Sequence, residues 1–203
     1  MSDEPMLANL AARIQLRKAA ILLVEPNPQG MNVLTQVLMG FGATGFIKAE
    51  NYEEARFAVR GDPLDLIVCE GTLQADEPDG YDFVAELRRS GLPNAMAPVI
   101  IVTSHSSRRN VARARDCGAH FVVMKPLSPT VLLERIIWMA QANRPFVTCA
   151  TYAGPDRRFQ NLGPPSGVSG RRSTDLTGEL GAAVDPNMSQ DEIDNILQPQ
   201  RRA

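Results

Sequence analysis

The chain has 203 residues, 44% of them hydrophobic and 22% charged, with a formal net charge of −2. This is the composition of a folded domain with extensions, and so small a charge excludes bulk attraction to nucleic acid or anionic lipid. No apolar run approaches the ~20 residues that span a bilayer; Met1-Ser2-Asp3-Glu4 is no signal-peptide start, and Cys69, Cys117 and Cys149 are scattered as reduced thiols are, so a cytoplasmic protein without membrane or DNA contact is expected.

In chain order, residues 1–18 carry Leu7, Leu10 and Ile14 at helical spacing and read as a helical extension. Five short apolar runs follow: Ile21–Val24, Gly45–Ile47, Leu66–Cys69, Val99–Val102 and Phe121–Met124. Most are uninterrupted rather than alternating, the pattern of parallel strands buried on both faces. Helical patterns lie between and after them. Asn27-Pro28, Asn51, Asp79-Gly80, Ser106 or Ser107, and Ser128-Pro129 supply the starts. Gly40, Gly61 and Gly118 supply stops. The alternation predicts an α/β fold with a doubly wound, five-stranded parallel sheet over residues 19–144. Residues 145–188 are rich in Gly, Pro, Ser and Arg and read as a disordered linker. Order returns at residues 189–197 as a short amphipathic helix, where Ser189 and Glu192 form a capping box and Ile193, Ile196 and Leu197 share a face.

Open α/β sheets bind ligands beyond the carboxyl ends of their strands. Those ends here carry Glu25, Glu70, Thr103 and Lys125-Pro126. With Asp79-Gly80 and Cys117-Gly118-Ala119, this text resembles the CheY-like receiver domain of response regulators. The resemblance implies a sheet order of 2-1-3-4-5 and two-component signalling. It places a phosphorylated aspartate after strand 3, Mg²⁺ at an acidic pair after strand 1, and a hydroxyl and a lysine on the phosphoryl group. It also implies output through helix 4, strand 5 and helix 5. Glu70 occupies the acceptor position and Pro26 replaces one acid of the pair. The loop between Glu70 and Asp79 is longer than usual, and Val122 stands where strand 5 usually has an aromatic, with Phe121 on the other face. The extra methylene of Glu70 carries its carboxylate outward by about an ångström. A normal phosphoacceptor is therefore not expected, and Mg²⁺ binding should be weak or absent, leaving no cofactor. Two readings stay open: Glu70 mimics phosphoaspartate by reaching Lys125 and Thr103, or the pocket has decayed and only the scaffold serves.

Helix 4 carries Arg108, Arg109, Arg113 and Arg115, either a solvated basic face or a site for an acidic partner or a phosphate-bearing ligand. In the tail, Arg157 and Arg158 follow Asp156, while Arg171 and Arg172 precede Asp175. These segments resemble arginine-rich tails of CheY-like proteins that bind cyclic di-GMP, and read otherwise as a soluble linker. The last segment, through Ser189, Gln190, Glu192, Ile193, Asp194 and Leu197, resembles the peptide by which the flagellar switch protein captures CheY. It reads otherwise as an unrelated capped helix; if the resemblance holds, it binds another receiver or folds back on its own. His105 and His120 lack metal-ligand spacing, Trp138 suits packing, and no Ser-His-Asp set, phosphate loop or cysteine pair points to an enzyme. The expectation is an atypical single-domain regulator that works by contact in chemotaxis or motility. Its partners would be a receiver, a histidine kinase or a flagellar switch component. The alternatives are a phosphorelay regulator using Glu70, Asp76 or Asp79, and a cyclic di-GMP effector.

Overall fold

The computed structural model describes residues 16–74, 78–141, 144–156 and 189–197, the last four of these as backbone alone. After a 3₁₀ turn at Leu16–Lys18, the strands β1 (Ala20–Val24), β2 (Gly45–Ala49), β3 (Leu66–Glu70), β4 (Val99–Thr103) and β5 (Phe121–Met124) alternate with helices α1 (Pro28–Gly40), α2 (Tyr52–Ala58), α3 (Gly80–Arg89) and α4 (Arg108–Asp116). Helix α5 (Pro129–Gln141) follows β5. The five strands are parallel, as the apolar runs predict, and stand in the order β2-β1-β3-β4-β5 that the resemblance implies.

Period-two side-chain direction divides the core into two layers. Leu22, Val24, Ile67, Cys69, Ile101 and Val122 face Tyr52, Phe83, Val84, Val111 and Ala114 of α2, α3 and α4. Ile21, Leu23, Val68, Ile100, Phe121 and Val123 face Leu34, Leu38, Leu132 and Ile136 of α1 and α5. Phe121 thus lies on the face opposite Val122, where its ring meets Trp138 edge-on at 5.1 Å. The starts are those read from sequence: Asn27, Asn51, Asp79 and Ser107 each accept a backbone N–H of the first turn. Each such cap contributes about 1 kcal/mol.

One segment differs from expectation. Within the stretch read as disordered, β6 (Phe146–Cys149) and β7 (Tyr152–Pro155) form an antiparallel hairpin, closed at its base by Asp156 N–H donating to Pro145 O at 2.8 Å. Composition misled because the hairpin is stabilised by the domain it leans on. Buried Arg88 on α3 donates to the carbonyls of Gly118, Ala95 and Ala97 and lies 5.4 Å from the Phe146 ring centroid. Burial pushes its pKa down to about 10. Gly118 has φ +91° and would place a Cβ 2.4 Å from Ala153 O, so the two backbones meet where no side chain fits. Residues 1–15 and 157–188 lie outside the described residues. A last helix, α6 (Gln190–Leu197), packs beside β5.

Candidate functional site

The carboxyl ends of β1, β3, β4 and β5 bring Glu25, Glu70, Thr103 and Lys125 together. Lys125 Nζ lies 2.6 Å from Glu25 Oε2 and 2.5 Å from Glu70 Oε2. The remaining oxygens are also engaged. Glu25 Oε1 accepts Asn27 N–H at 3.0 Å, and Glu70 Oε1 accepts Thr72 N–H at 3.1 Å. All four carboxylate oxygens are therefore committed inside the protein. Both glutamates are buried, at 1% and 5% exposure. Two buried charges need this pairing, since an unpaired carboxylate would cost several kcal/mol. Burial alone would lower the Lys125 pKa, but its bonds to Glu25 and Glu70 and their charges outweigh that and raise it. Thr103 Oγ1 accepts His105 N–H at 3.1 Å rather than meeting Glu70. Of the two contacts expected of a mimicking Glu70, that to Lys125 is present, while Thr103 is turned to the backbone.

Three neighbours build this pocket that the sequence reading did not single out for it. At Gly30 a Cβ would lie 2.7 Å from Glu25 Cδ, so the first turn of α1 leaves room for the carboxylate. At Gly80 a Cβ would lie 2.0 Å from Glu70 O, so α3 must start on glycine to reach the end of β3. Tyr81 sets a sealed hydroxyl beside Thr103 and Gly71, and burial pushes its pKa up to about 12. Its ring centroid lies 4.7 Å from the Arg113 guanidinium. The only advance sign of Tyr81 was its place one residue after Gly80. The donors do not fit octahedral Mg²⁺: Pro26 has no side-chain oxygen, and both glutamates are turned onto Lys125.

On α4, Arg108 and Arg109 are exposed as the basic-face reading requires. Arg113 differs: it bridges Asp79 at 2.7 Å and Asp82 at 3.5 Å, because α3 begins with those acids directly opposite. It ties α4 to α3 rather than standing outward for a partner.

Helix α6 docks on β5. The Gln190 side chain accepts Met124 N–H at 2.9 Å and donates to Val122 O at 3.3 Å, pairing with the open edge of the strand. Ile193 is fully buried and joins the apolar layer that holds Val111, Ala114 and Val122. Such burial contributes about 1.5–3 kcal/mol, and each bond to the strand edge about 1 kcal/mol. Glu192 accepts from the Ser189 N–H and hydroxyl and receives an attractive field from Arg108, which together lower its pKa. The capping box is thus present, and the segment folds back on its own domain. Ile196 and Leu197 belong to α6, but their side chains lie outside the described residues, as do Arg157, Arg158, Arg171, Arg172, Asp175 and Asp76.

The sequence profile of the response regulator receiver domain matches residues 21–137. The chain belongs to that family. It is a receiver, a module of two-component signalling. It is similar to the receiver domain of a signal transduction histidine kinase from Syntrophus aciditrophicus, with 29% identity and a TM-score of 0.51 over 65% of this chain and 98% of that one. A CheY-like receiver from Methanospirillum hungatei shares the fold, at 22% identity and a TM-score of 0.52 over 58% of this chain and 90% of that one. Among curated proteins it is 28% identical over 120 residues to the transcriptional regulatory protein GlrR of Escherichia coli, covering 59% of this chain and 26% of that protein. It is 25% identical over 119 residues to the two-component response regulator PprB of Pseudomonas aeruginosa, covering 58% of this chain and 42% of that protein. The match therefore spans less than half the length of either regulator. No described helix is long and apolar enough to cross a membrane, and no described cluster of His, Cys, Asp or Glu could hold a metal ion.

Proposed function

We propose that this receiver signals by protein contact and does not accept phosphate in the ordinary way. The carrying observation is the clamp of Glu25 and Glu70 on Lys125, which commits every carboxylate oxygen of the pocket. Acyl phosphate formation needs a free carboxylate in line with the donor and cations around the departing charge. Here the lysine is engaged, the acceptor is a glutamate, and weak or absent Mg²⁺ binding follows from the donor set. A contact role needs no catalytic group, so the chain acts as a non-enzymatic regulator. Its partners in this reading are signalling proteins such as another receiver, a histidine kinase or a flagellar switch component. Chemotaxis or motility control is the setting favoured by the residue pattern Ser189-Gln190-Asp191-Glu192-Ile193. A cytoplasmic place without DNA contact fits the net charge of −2. The cyclic di-GMP alternative rests on the tail arginines alone, and the phosphorelay alternative on Glu70, Asp76 or Asp79.

Intact-mass measurement after incubation with a small phosphodonor and Mg²⁺ tests this. The expected result is no stable adduct on the wild-type chain, and a gain after Pro26→Asp with Glu70→Asp. A stable acyl phosphate on wild-type Glu70 or Asp79 would falsify the proposal.

A further inference from the structure

We infer that the cavity between α3 and the hairpin β6–β7 binds a small amphipathic carboxylate, its head on Arg88 and its apolar body against Phe146, Leu92 and Met96. The site is separate from the pocket of Glu25, Glu70 and Lys125, and the inference stands whether or not that pocket accepts phosphate.

Arg88 is a buried cation without an anion. It is 5% exposed. Its Nε–H is donated to Gly118 O, and its Nη1 donates to the carbonyls of Ala95 and Ala97. Its Nη2 is buried and meets no acceptor among the described residues. The ionisable groups whose fields reach the guanidinium are Cys117 and Tyr152, and neither is a carboxylate. The Phe146 ring, 5.4 Å from Cζ, offers the charge π electrons but no lone pair. Buried donors in folded proteins are nearly always met, and a buried charge is costly unless an opposite charge pairs with it. A water on Nη2 would meet the N–H and leave the charge. A carboxylate meets both.

The guanidinium stands at the wall of a cavity of about 450 Å³. Ala95, whose carbonyl takes Nη1, lines that cavity, as does Phe146, whose ring faces Cζ. Leu92, Met96 and Ala153 add to its apolar wall. The volume suits a ligand of drug size or smaller. Its charged lining residues are Arg88 and the exposed Arg89, and no described acid joins them. Such a wall asks for one anionic group on an apolar body. A phosphate ester brings a charge near −2 and three strong acceptor oxygens, more than one free nitrogen and an apolar wall can satisfy. A carboxylate asks less: one oxygen on Nη2 and the other left to Arg89 or solvent. Because Phe146 and Ala153 come from the hairpin while Arg88 and Leu92 come from α3 and the loop after it, the ligand would also fasten the hairpin to the domain.

The test uses the full-length, ¹⁵N-labelled protein and sodium octanoate as the probe, with 1-octanol as the uncharged control. Heteronuclear NMR follows the Arg88 Nε–H and the backbone amides of Ala95 and Phe146. Octanoate is expected to shift all three saturably with a Kd of about 0.1–1 mM, the range open to a ligand of about ten non-hydrogen atoms. Octanol should bind at least about tenfold more weakly, because it lacks the charge that Arg88 answers. Octanoate should also slow chymotrypsin cleavage at Phe146. Arg88→Met, where it folds, should weaken octanoate by about tenfold or more; where it does not fold, the contrast between octanoate and octanol decides alone. The inference is overturned by equal binding of octanol and octanoate, by unchanged affinity in folded Arg88→Met, or by shifts that appear only around Leu16, Ile136 and Met139, which line a different apolar cavity. The absence of any saturable shift up to about 10 mM octanoate, ten times the weakest expected Kd, overturns it as well.

Discussion

At the scale of single residues, Lys125 serves two carboxylates at once, and the energetics of such a triad are unequal. Forming it offsets a desolvation cost, whereas removing its one cation strands two buried anions. Lys125→Ala is therefore expected to lower unfolding stability by on the order of 3 kcal/mol, seen as a fall in the urea midpoint. Adding Glu25→Gln and Glu70→Gln should recover much of the loss, and a midpoint untouched by Lys125→Ala would refute the clamp. The four residues of this pocket were legible because each ends or directly follows a strand in an α/β alternation. Their mutual bonds were legible only in part. Glu70 reaches Lys125, but nothing in the text shows that Glu25 would share that lysine or that Thr103 would turn to His105 N–H. The inward turn of Arg113 was hidden for a related reason. Its acids, Asp79 and Asp82, sit some thirty positions away and meet it only after α3 and α4 pack.

Elements tell a similar story through composition. Strands β1, β3, β4 and β5 were readable because both of their faces are buried, which forces apolar runs. The hairpin β6–β7 was not, since its strands are half covered and its turn at Ala150-Thr151 carries no Asn-Gly signal. What holds it is distant: the Arg88 guanidinium and the bare backbone of Gly118. Gly118→Ala should strain a left-handed residue and push β7 away, costing about 1–3 kcal/mol. Limited chymotrypsin digestion would show it as faster cleavage at Phe146 or Tyr152. Unaltered protection of both bonds would mean the hairpin does not depend on that approach. Helix α6 lies between these cases. Its capping box and apolar spacing were plain, while its resting place on β5 follows from a strand edge that sequence does not mark.

For the whole molecule, acid stability follows from His120. Its Nδ1 accepts Val99 N–H at 3.1 Å, so the ring is neutral in the fold, and burial, with Arg88 and Arg144 adding repulsion, pushes its pKa down to about 3. An unfolded histidine titrates near 6.5. Between about pH 3 and 6.5 the unfolded chain holds the extra proton, so stability should be full above that window and fall as pH drops through it. Urea midpoints from pH 7 to 4 should decline less steeply in His120→Gln than in the wild type; parallel slopes would discount the residue. The same sheet has two open sides that are kept from pairing with other chains by different means. At β2 the exposed, charged Lys48 discourages a neighbouring strand. At β5 the edge is covered by α6, whose Gln190 amide pairs with Met124 N–H and Val122 O. Removing α6 would bare that edge to other chains, so clipping of the tail is expected to shorten the protein's life in solution before it disturbs the fold.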